Sequence, residues 1–376
     1  MKRVSPTYVE IDLEALRYNY RQLRGCLPSA MKSLCVVKSN AYGHGAQRVA
    51  KVLQDEGADA FGVGTIDEGV QLREAGVKKP VLVLLGLMEG QTEAVVRYGL
   101  TPVVYDLETA RGLSDHMTRS GKKLAVHLKV DTGMTRLGFL PSQFAEICTA
   151  LKKLPFIEVA GLLTHLAEAG HGPFTAQQWK AFQKAKDIFD ATFGNDGTPK
   201  LYHVANSQAS IDRKTGNSDG EFMARFGIAL YGAYPMERDR KIIPLKPVLH
   251  WKTRVISLKE VPARTPVSYN RTFVTKKTSR IAVVPVGYAD GYPRILSNRS
   301  EMLVRGKRVK VAGMVCMDLT MLDVTPVPGV SVGDEVVVLG SQKGEEIRAE
   351  ELAQAAKTIS YEIFCGISER APRVYR

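Results

Sequence analysis

Cysteine is scarce and scattered in this chain of 376 residues. The five (Cys26, Cys35, Cys148, Cys316 and Cys365) are odd in number and lack metal-ligand or redox spacing. A disulfide framework and a zinc or other metal site are therefore not expected. Long apolar runs are missing too: none approaches the ~20 residues of a membrane span. The start, Met1-Lys2-Arg3-Val4-Ser5-Pro6, is basic but is followed by no apolar segment, so the expectation is a cytoplasmic protein without a secretory signal. There is no G-x-G-x-x-G after the first strand pattern, which counts against an open dinucleotide-binding sheet. The formal net charge is +13, yet Lys and Arg are spread along the chain, without a basic tail or aromatic-interleaved stripe. That distribution excludes a nucleic-acid partner and suits solubility, with a few arginines facing anionic small molecules.

What is present is an ordinary globular composition, 44% hydrophobic and 24% charged, over a length that suggests two domains. Tyr8–Ile11 reads as a short strand and Asp12 as the cap of a helix bearing Leu13, Leu16 and Leu23. From about residue 30 a rhythm of short apolar strand, turn and amphipathic helix sets in. Strands are predicted at 33–37, 60–63, 81–85, 101–104, 124–130, 157–163, 201–204 and 222–226, with helices such as 46–53, 66–74, 107–117, 143–151 and 175–193 between them. Eight such units in roughly 200 residues predict an α/β fold, a (β/α)8 barrel, over residues 1–240. After Tyr231-Gly232 the rhythm breaks. Met236 to Lys241 reads as a solvated loop, and residues 241–376 as a smaller, mainly β domain with strands near 250–258, 280–286, 302–304, 309–311, 319–324 and 335–339 and one helix, 349–356. The strand at 8–11 is the one piece of the first region expected to pack with the second.

Barrel enzymes carry their reactive groups just after strand C-termini, and polar residues collect there. Lys38 closes the run Cys35-Val36-Val37 and opens Ser39-Asn40-Ala41-Tyr42-Gly43-His44-Gly45. A lysine at such a place is either a charge leaving the core or, when partly buried, an amine with the lowered pKa that Schiff-base chemistry needs. The glycines suit close backbone approach to a ligand, and Tyr42 offers a hydroxyl. Arg136, in Lys129-Val130-Asp131-Thr132-Gly133-Met134-Thr135-Arg136, has a fork suited to a carboxylate. His165 follows strand 157–163 and Asn206-Ser207 follow strand 201–204. Ser207 reads as a phosphate seat, as an N-cap, or as both. In Arg225-Phe226-Gly227-Ile228, Gly227 lets the N–H groups of Gly227 and Ile228 meet a phosphate.

These runs, in order, resemble the alanine racemases. The resemblance extends into the β region through Val267-Ser268-Tyr269-Asn270, Gly287-Tyr288-Ala289-Asp290-Gly291, Gly313-Met314-Val315-Cys316-Met317-Asp318 and Ile359-Ser360-Tyr361-Glu362. One departure is Leu166-Ala167-Glu168-Ala169-Gly170, where a Phe commonly follows the histidine. Asn270 replaces a usual glycine, a mild change because Asn tolerates positive φ.

The resemblance implies interconversion of L-alanine and D-alanine by a two-base mechanism on pyridoxal 5′-phosphate, supplying D-alanine for peptidoglycan. It implies Lys38 as cofactor lysine and one base, and Tyr269, entering from the partner of a homodimer with shared active sites, as the other. Tyr42, His165, Asn206, Ser207, Arg225, Gly227, Ile228 and Tyr361 are implied to hold the cofactor, with Arg225 facing the pyridine nitrogen and His165 bridging Arg225 and Tyr269. Arg136 and Met317 are implied to meet the substrate carboxylate, Lys129 to be a carbamylated support for Arg136, and Tyr288 to stand at the entrance. Two rival readings are a broad-specificity or serine racemase and a non-catalytic barrel protein that handles the same cofactor. The second would lack Tyr269, Met317 and Tyr361.

Overall fold

The computed structural model describes residues 5–169, 172–194, 197–213 and 221–376. The basic start at Met1 to Val4 and Gly170 lie outside the described residues. The first strand, β1 (Tyr8–Ile11), leads into the helix Leu13–Gly25, capped by Asp12, whose Oδ1 accepts the Ala15 N–H at 2.8 Å. Leu16 and Leu23 are fully buried on that helix, as the 3.6-residue spacing requires.

Eight parallel strands follow: β2 (Lys32–Val36), β3 (Ala60–Val63), β4 (Val81–Val83), β5 (Thr101–Val104), β6 (Leu124–Lys129), β7 (Ile157–Leu163), β8 (Leu201–His203) and β9 (Met223–Phe226). They are hydrogen-bonded in chain order from β2 to β8, and β9 pairs with β2. The ring closes where Tyr202 bridges to Phe222 and its N–H donates to the Glu221 carbonyl at 2.8 Å. Strands such as Ala-Phe-Gly-Val and Val-Leu-Val are buried throughout, because barrel strands are covered on both faces. Capping signals set the helix starts. Thr65 and Glu68 form a capping box on Ile66–Glu74, and Asp106 caps Leu107–Met117.

The second sheet comprises β10 (Leu249–Arg254), β11 (Ser257–Val261), β14 (Ser279–Val284), β15 (Glu301–Val304), β16 (Lys307–Val311), β17 (Thr320–Asp323), β18 (Glu335–Gln342), β19 (Glu345–Ile347) and β20 (Arg373–Tyr375). The short pair β12 (Pro266–Val267) and β13 (Phe273–Val274) stands apart. β1 belongs here, antiparallel to β10 and parallel to β20. The expected strand 250–258 is two strands, because at Val255 and Ile256 the backbone N–H groups turn to Asp334 and Val283. Met236–Lys241 is also not a simple solvated loop. Glu237–Lys241 is a 3₁₀ turn around the fully buried Asp239, which accepts the Met236 N–H at 2.9 Å and the Gln208 amide at 3.1 Å. Among the described residues no helix is long and apolar enough to cross a membrane.

Candidate active site

At the C-terminal mouth of the barrel the chain leaves β2 through Val37 into Lys38 and then turns the unusual way. Ser39, Asn40 and Ala41 have φ/ψ near +53/+51, +52/+46 and +53/+50, and Tyr42 has φ +52. Each such residue costs roughly 1–2 kcal/mol against the right-handed form, so the surroundings must hold it. The Ala41 N–H donates to the Val37 carbonyl at 2.8 Å, Asn40 Oδ1 accepts the Ala46 N–H at 2.8 Å, and buried His44 Nδ1 lies 2.8 Å from the Tyr42 carbonyl. The glycines here do not admit a ligand. A Cβ on Gly43 would stand 2.6 Å from the Phe364 carbonyl oxygen and one on Gly45 1.8 Å from the Tyr375 hydroxyl, so both make room for the C-terminal segment.

Around Lys38 the mouth is crowded with cations. Lys129, at the end of β6, is buried, and its amine is lowered to about 8 by burial and by the Arg225 and Arg136 charges. Burial, then Arg136, lowers the Lys38 amine, against the weaker pull of Glu68 and Cys365. Burial and the charges of Arg225, Arg136, Lys129 and Lys38 push His165 down to about 3, so its imidazole is neutral. Arg225 is 5% exposed, and burial lowers its guanidinium to about 10. It remains charged at neutral pH because carbonyls receive its protons: His203, Thr164 at 2.8 Å and Val204 at 3.2 Å. Its Nη2 also lies 3.3 Å from His165 Nδ1. A guanidinium only donates, so His165 accepts there and carries its own proton on Nε2.

Arg136 is exposed on a loop organised by Asp131, a residue sequence reasoning passed over. Asp131 Oδ1 accepts the N–H groups of Gly133, Met134 and Thr135 at 2.9, 2.8 and 3.0 Å, and Oδ2 that of Arg136 at 2.9 Å. Burial raises its carboxyl, but these four bonds outweigh it and hold the group ionised. Gln178 was missed as well. From the helix Pro173–Phe193 its amide donates to the His165 carbonyl at 3.1 Å and accepts the Ala167 N–H at 2.9 Å, setting the turn after β7. The visible signal for Asp131 was an acidic residue directly before Thr-Gly; Gln178 left none.

A second cluster of hydroxyls gathers beside β8 and β9. Asn206, not Ser207, caps the helix Ser207–Ile211, its Oδ1 accepting the Ala209 N–H at 3.1 Å. Ser207 Oγ instead accepts the Gly227 N–H at 2.8 Å, so that N–H is not free for a phosphate as expected. A Cβ on Gly227 would stand 3.1 Å from the Tyr42 hydroxyl, already a tight contact, and 3.7 Å from Ser207 Oγ, so the glycine lets its backbone lie close to both hydroxyls. The Tyr42 and Tyr361 rings lie 5.7 Å apart. Ile228 opens the 3₁₀ turn Ile228–Tyr231 there.

The candidate residues of the second sheet remain largely outside. Tyr269 is 68% exposed, Met317 54% and Tyr288 43%. Asn270, beside Tyr269, has φ +60, the conformation anticipated from its replacing glycine.

Residues 11–235 match the family described as alanine racemase, N-terminal domain, and residues 248–375 its C-terminal domain. The chain is 44% identical over 378 aligned residues to an alanine racemase of Halothermothrix orenii, covering 100% of this chain and 98% of that one. It is 41% identical to alanine racemase 2 of Caldanaerobacter subterraneus subsp. tengcongensis, covering 99% and 95%. Among solved structures, an alanine racemase of Clostridium difficile 630 superposes with a TM-score of 0.91 at 35% identity, over 100% of this chain and 97% of the other. An alanine racemase of Bacillus anthracis with bound L-Ala-P does so with a TM-score of 0.90 at 33% identity, over 100% and 96%.

Proposed function

The chain belongs to the alanine racemase family, and from that premise we propose how its own residues divide the interconversion of L- and D-alanine. The observation that carries the assignment is the crowd of basic side chains, Lys38, Lys129, Arg136, His165 and Arg225, around one barrel mouth. Such a field suits an anionic cofactor and an amino-acid carboxylate, and it lowers the pKa of an amine placed within it.

The residues present fit pyridoxal 5′-phosphate. The Tyr42 and Ser207 hydroxyls that converge on the Gly227 backbone are donors suited to a phosphate end, and Tyr361, whose ring neighbours that of Tyr42, Asn206 and the Ile228 N–H would complete its holders. Lys38 would hold the cofactor's carbon, and Arg225 would face its ring nitrogen. When bound, the cofactor supplies the electron sink that makes the alanine Cα proton removable.

Lys38 takes or returns that proton on one face, helped by the burial and the Arg136 charge that lower its pKa. Tyr269 of a second copy serves the opposite face. His165 would connect it to Arg225: its Nδ1 accepts from the guanidinium, which leaves its Nε2–H to donate to the Tyr269 phenolate. Arg136 and the Met317 N–H orient the substrate carboxylate, and Tyr288 flanks the entrance. Lys129, with its lowered amine, is suited to carbamylation, which would convert a repelling cation into an anion that holds Arg136. The region up to about residue 240 thus carries the cofactor, and the β region beyond it the second base. In the assay that tests this, purified protein is incubated with L-alanine and pyridoxal phosphate while D-alanine is measured by chiral chromatography. Failure to approach an equal mixture would reject the reading.

A further inference from the structure

Glu68 lies in the first turn of the helix Ile66–Glu74, where Thr65-Ile66-Asp67-Glu68 forms the capping box. Its carboxylate also reaches beyond its own helix. Oε2 accepts the N–H groups of Gly64 and Thr65 at 2.6 and 3.3 Å, and Oε1 accepts the Ser39 N–H at 2.6 Å from the loop after the neighbouring strand. Ser39 directly follows Lys38 and is the first residue of the left-handed turn.

The missing side chain at Gly64 allows this reach. A Cβ there would stand 3.2 Å from Glu68 Oε2 and 3.6 Å from the Cβ of Lys38. Carboxylate and lysine stem therefore flank the same bare backbone position. The turn's own bonds begin with Ala41 N–H to Val37 and continue with Gly43 N–H to Ser39, so the Ser39 N–H is satisfied by Glu68. The far end of the turn has separate ties, through Asn40 Oδ1 and His44 Nδ1.

We propose that Glu68 is a positioning residue for Lys38: its carboxylate locks the junction between β2 and the left-handed turn and sets a negative charge beside the lysine without taking its proton. The inference rests on the reading of Lys38 as the reacting amine. Three backbone donors occupy the carboxylate, and among the described residues no ion pair joins it to Lys38. The charges that act on the Lys38 amine are those of Arg136 on the loop after β6, Glu68, and Cys365 on the helix Ser360–Gly366; Lys129 and His165, at the ends of β6 and β7, feel its charge in turn. Glu68 is the carboxylate in that set.

Three variants separate tether, charge and cap. Glu68→Gln keeps the length but loses the charge and turns an amide N–H₂ toward backbone donors. Glu68→Asp keeps the charge but is one methylene short of Ser39. Thr65→Ala removes the partner hydroxyl of the capping box and leaves the Ser39 bond. Amide hydrogen exchange at Ser39, measured on the full chain with and without pyridoxal phosphate, should accelerate at least about 10-fold in both Glu68 variants and stay slow in Thr65→Ala. In the loaded enzyme both Glu68 variants should lower kcat by ~10–100-fold with a much smaller change in KM, the usual effect of misplacing a reacting group. The acid limb of kcat, which reports the substrate-bound enzyme in which the Lys38 amine is free, should move to lower pH in Glu68→Gln but not in Glu68→Asp, in the direction where Lys38 takes the proton. Thr65→Ala should lower Tm alone. Unchanged Ser39 exchange and kcat in both Glu68 variants, or full reproduction of their effects by Thr65→Ala, would reduce Glu68 to a helix cap and overturn the proposal. A wild-type chain that holds Ser39 protected yet does not racemise alanine would instead sink the functional reading.

Discussion

The barrel mouth and the exposed face of the second sheet are built to opposite standards. At the mouth, Lys129 and Arg225 are 7% and 5% exposed, and backbone carbonyls collected from two strand ends hold the Arg225 guanidinium. In the second region, Tyr269, Met317 and Tyr288 are exposed, as are Leu319 and Ile359 at 37% and 61%. The first region is preorganised within one chain, its desolvation offset by fixed dipoles. The second exposes apolar surface of the kind that marks an interaction site. This division is the one that the proposed sharing of sites between two copies requires.

The largest effect should come from the mouth itself. Lys38→Ala removes the only side chain proposed to bind the cofactor covalently, so racemisation should vanish. Borohydride treatment of wild type should leave a pyridoxyl group on a peptide containing Lys38; a label on any other peptide would contradict the assignment.

Next comes the exposed face. Tyr269→Phe keeps the ring and should lower racemisation by roughly 10²–10⁴-fold, the usual worth of a general base, with cofactor still bound. Mixing Lys38→Ala and Tyr269→Phe subunits should restore part of the activity, since one site of each mixed pair would be intact. Verified heterodimers with no rescue would show that the two regions are not shared between copies.

Arg225→Glu tests how strictly the mouth is preorganised. It sets a carboxylate against the carbonyls of His203, Thr164 and Val204, so a loss of about 3–5 kcal/mol is expected from breaking a buried charged network, seen as a lower Tm. In the protein that folds, racemisation should slow and pyruvate should accumulate, because a protonated ring nitrogen favours the misplaced proton. Unchanged rate with no pyruvate would remove Arg225 from this role.

A smaller effect concerns Lys129. With its amine lowered to about 8, the neutral form that captures carbon dioxide is half-populated near that pH, not near 10. ¹³C-bicarbonate should give a carbamate carbon resonance that grows as the pH rises through 8 and is absent in Lys129→Arg. The last effect leaves racemisation at neutral pH untouched and concerns stability in acid. Burial holds His44, His127 and His165 at about 3, 4 and 3, below the ordinary 6.5 of an unfolded chain. The unfolded state therefore binds more protons below pH 6.5. Their contribution is fully present above that pH and is lost as pH falls, by up to about 1.4 kcal/mol per pH unit for each. Denaturant melts from pH 7 to 4.5 would read this out, and flat stability would contradict it.

Much of the mouth was legible in the residues. Strand ends at Lys38, Lys129, His165, Asn206 and Arg225 follow from short β-branched runs and turn signals, and the structure has them on five strands of one ring. Its finer organisation was not legible. Asn206 takes the cap expected of Ser207, and Gly43 and Gly45 yield to Phe364 and Tyr375 more than three hundred residues on. The helix Ser360–Gly366 and the strand β20 went unread too, since each is short and owes its place to partners across the fold.

By itself, the sequence determined the alternation of strand and helix, the cap at Asp12, and the chemical types placed after the barrel strands. These depend on local propensity and on periodicity over a few residues. Only the tertiary structure decided that Ser39 to Tyr42 turn left-handed, that β1 joins β10 and β20, and that His165 stays neutral beside a charged Arg225. Each of those outcomes depends on burial and on hydrogen-bond partners brought from distant segments, such as Glu68 for Ser39 and Thr164 for Arg225. Such long-range terms decide the choice when local preference is overruled by a few kcal/mol.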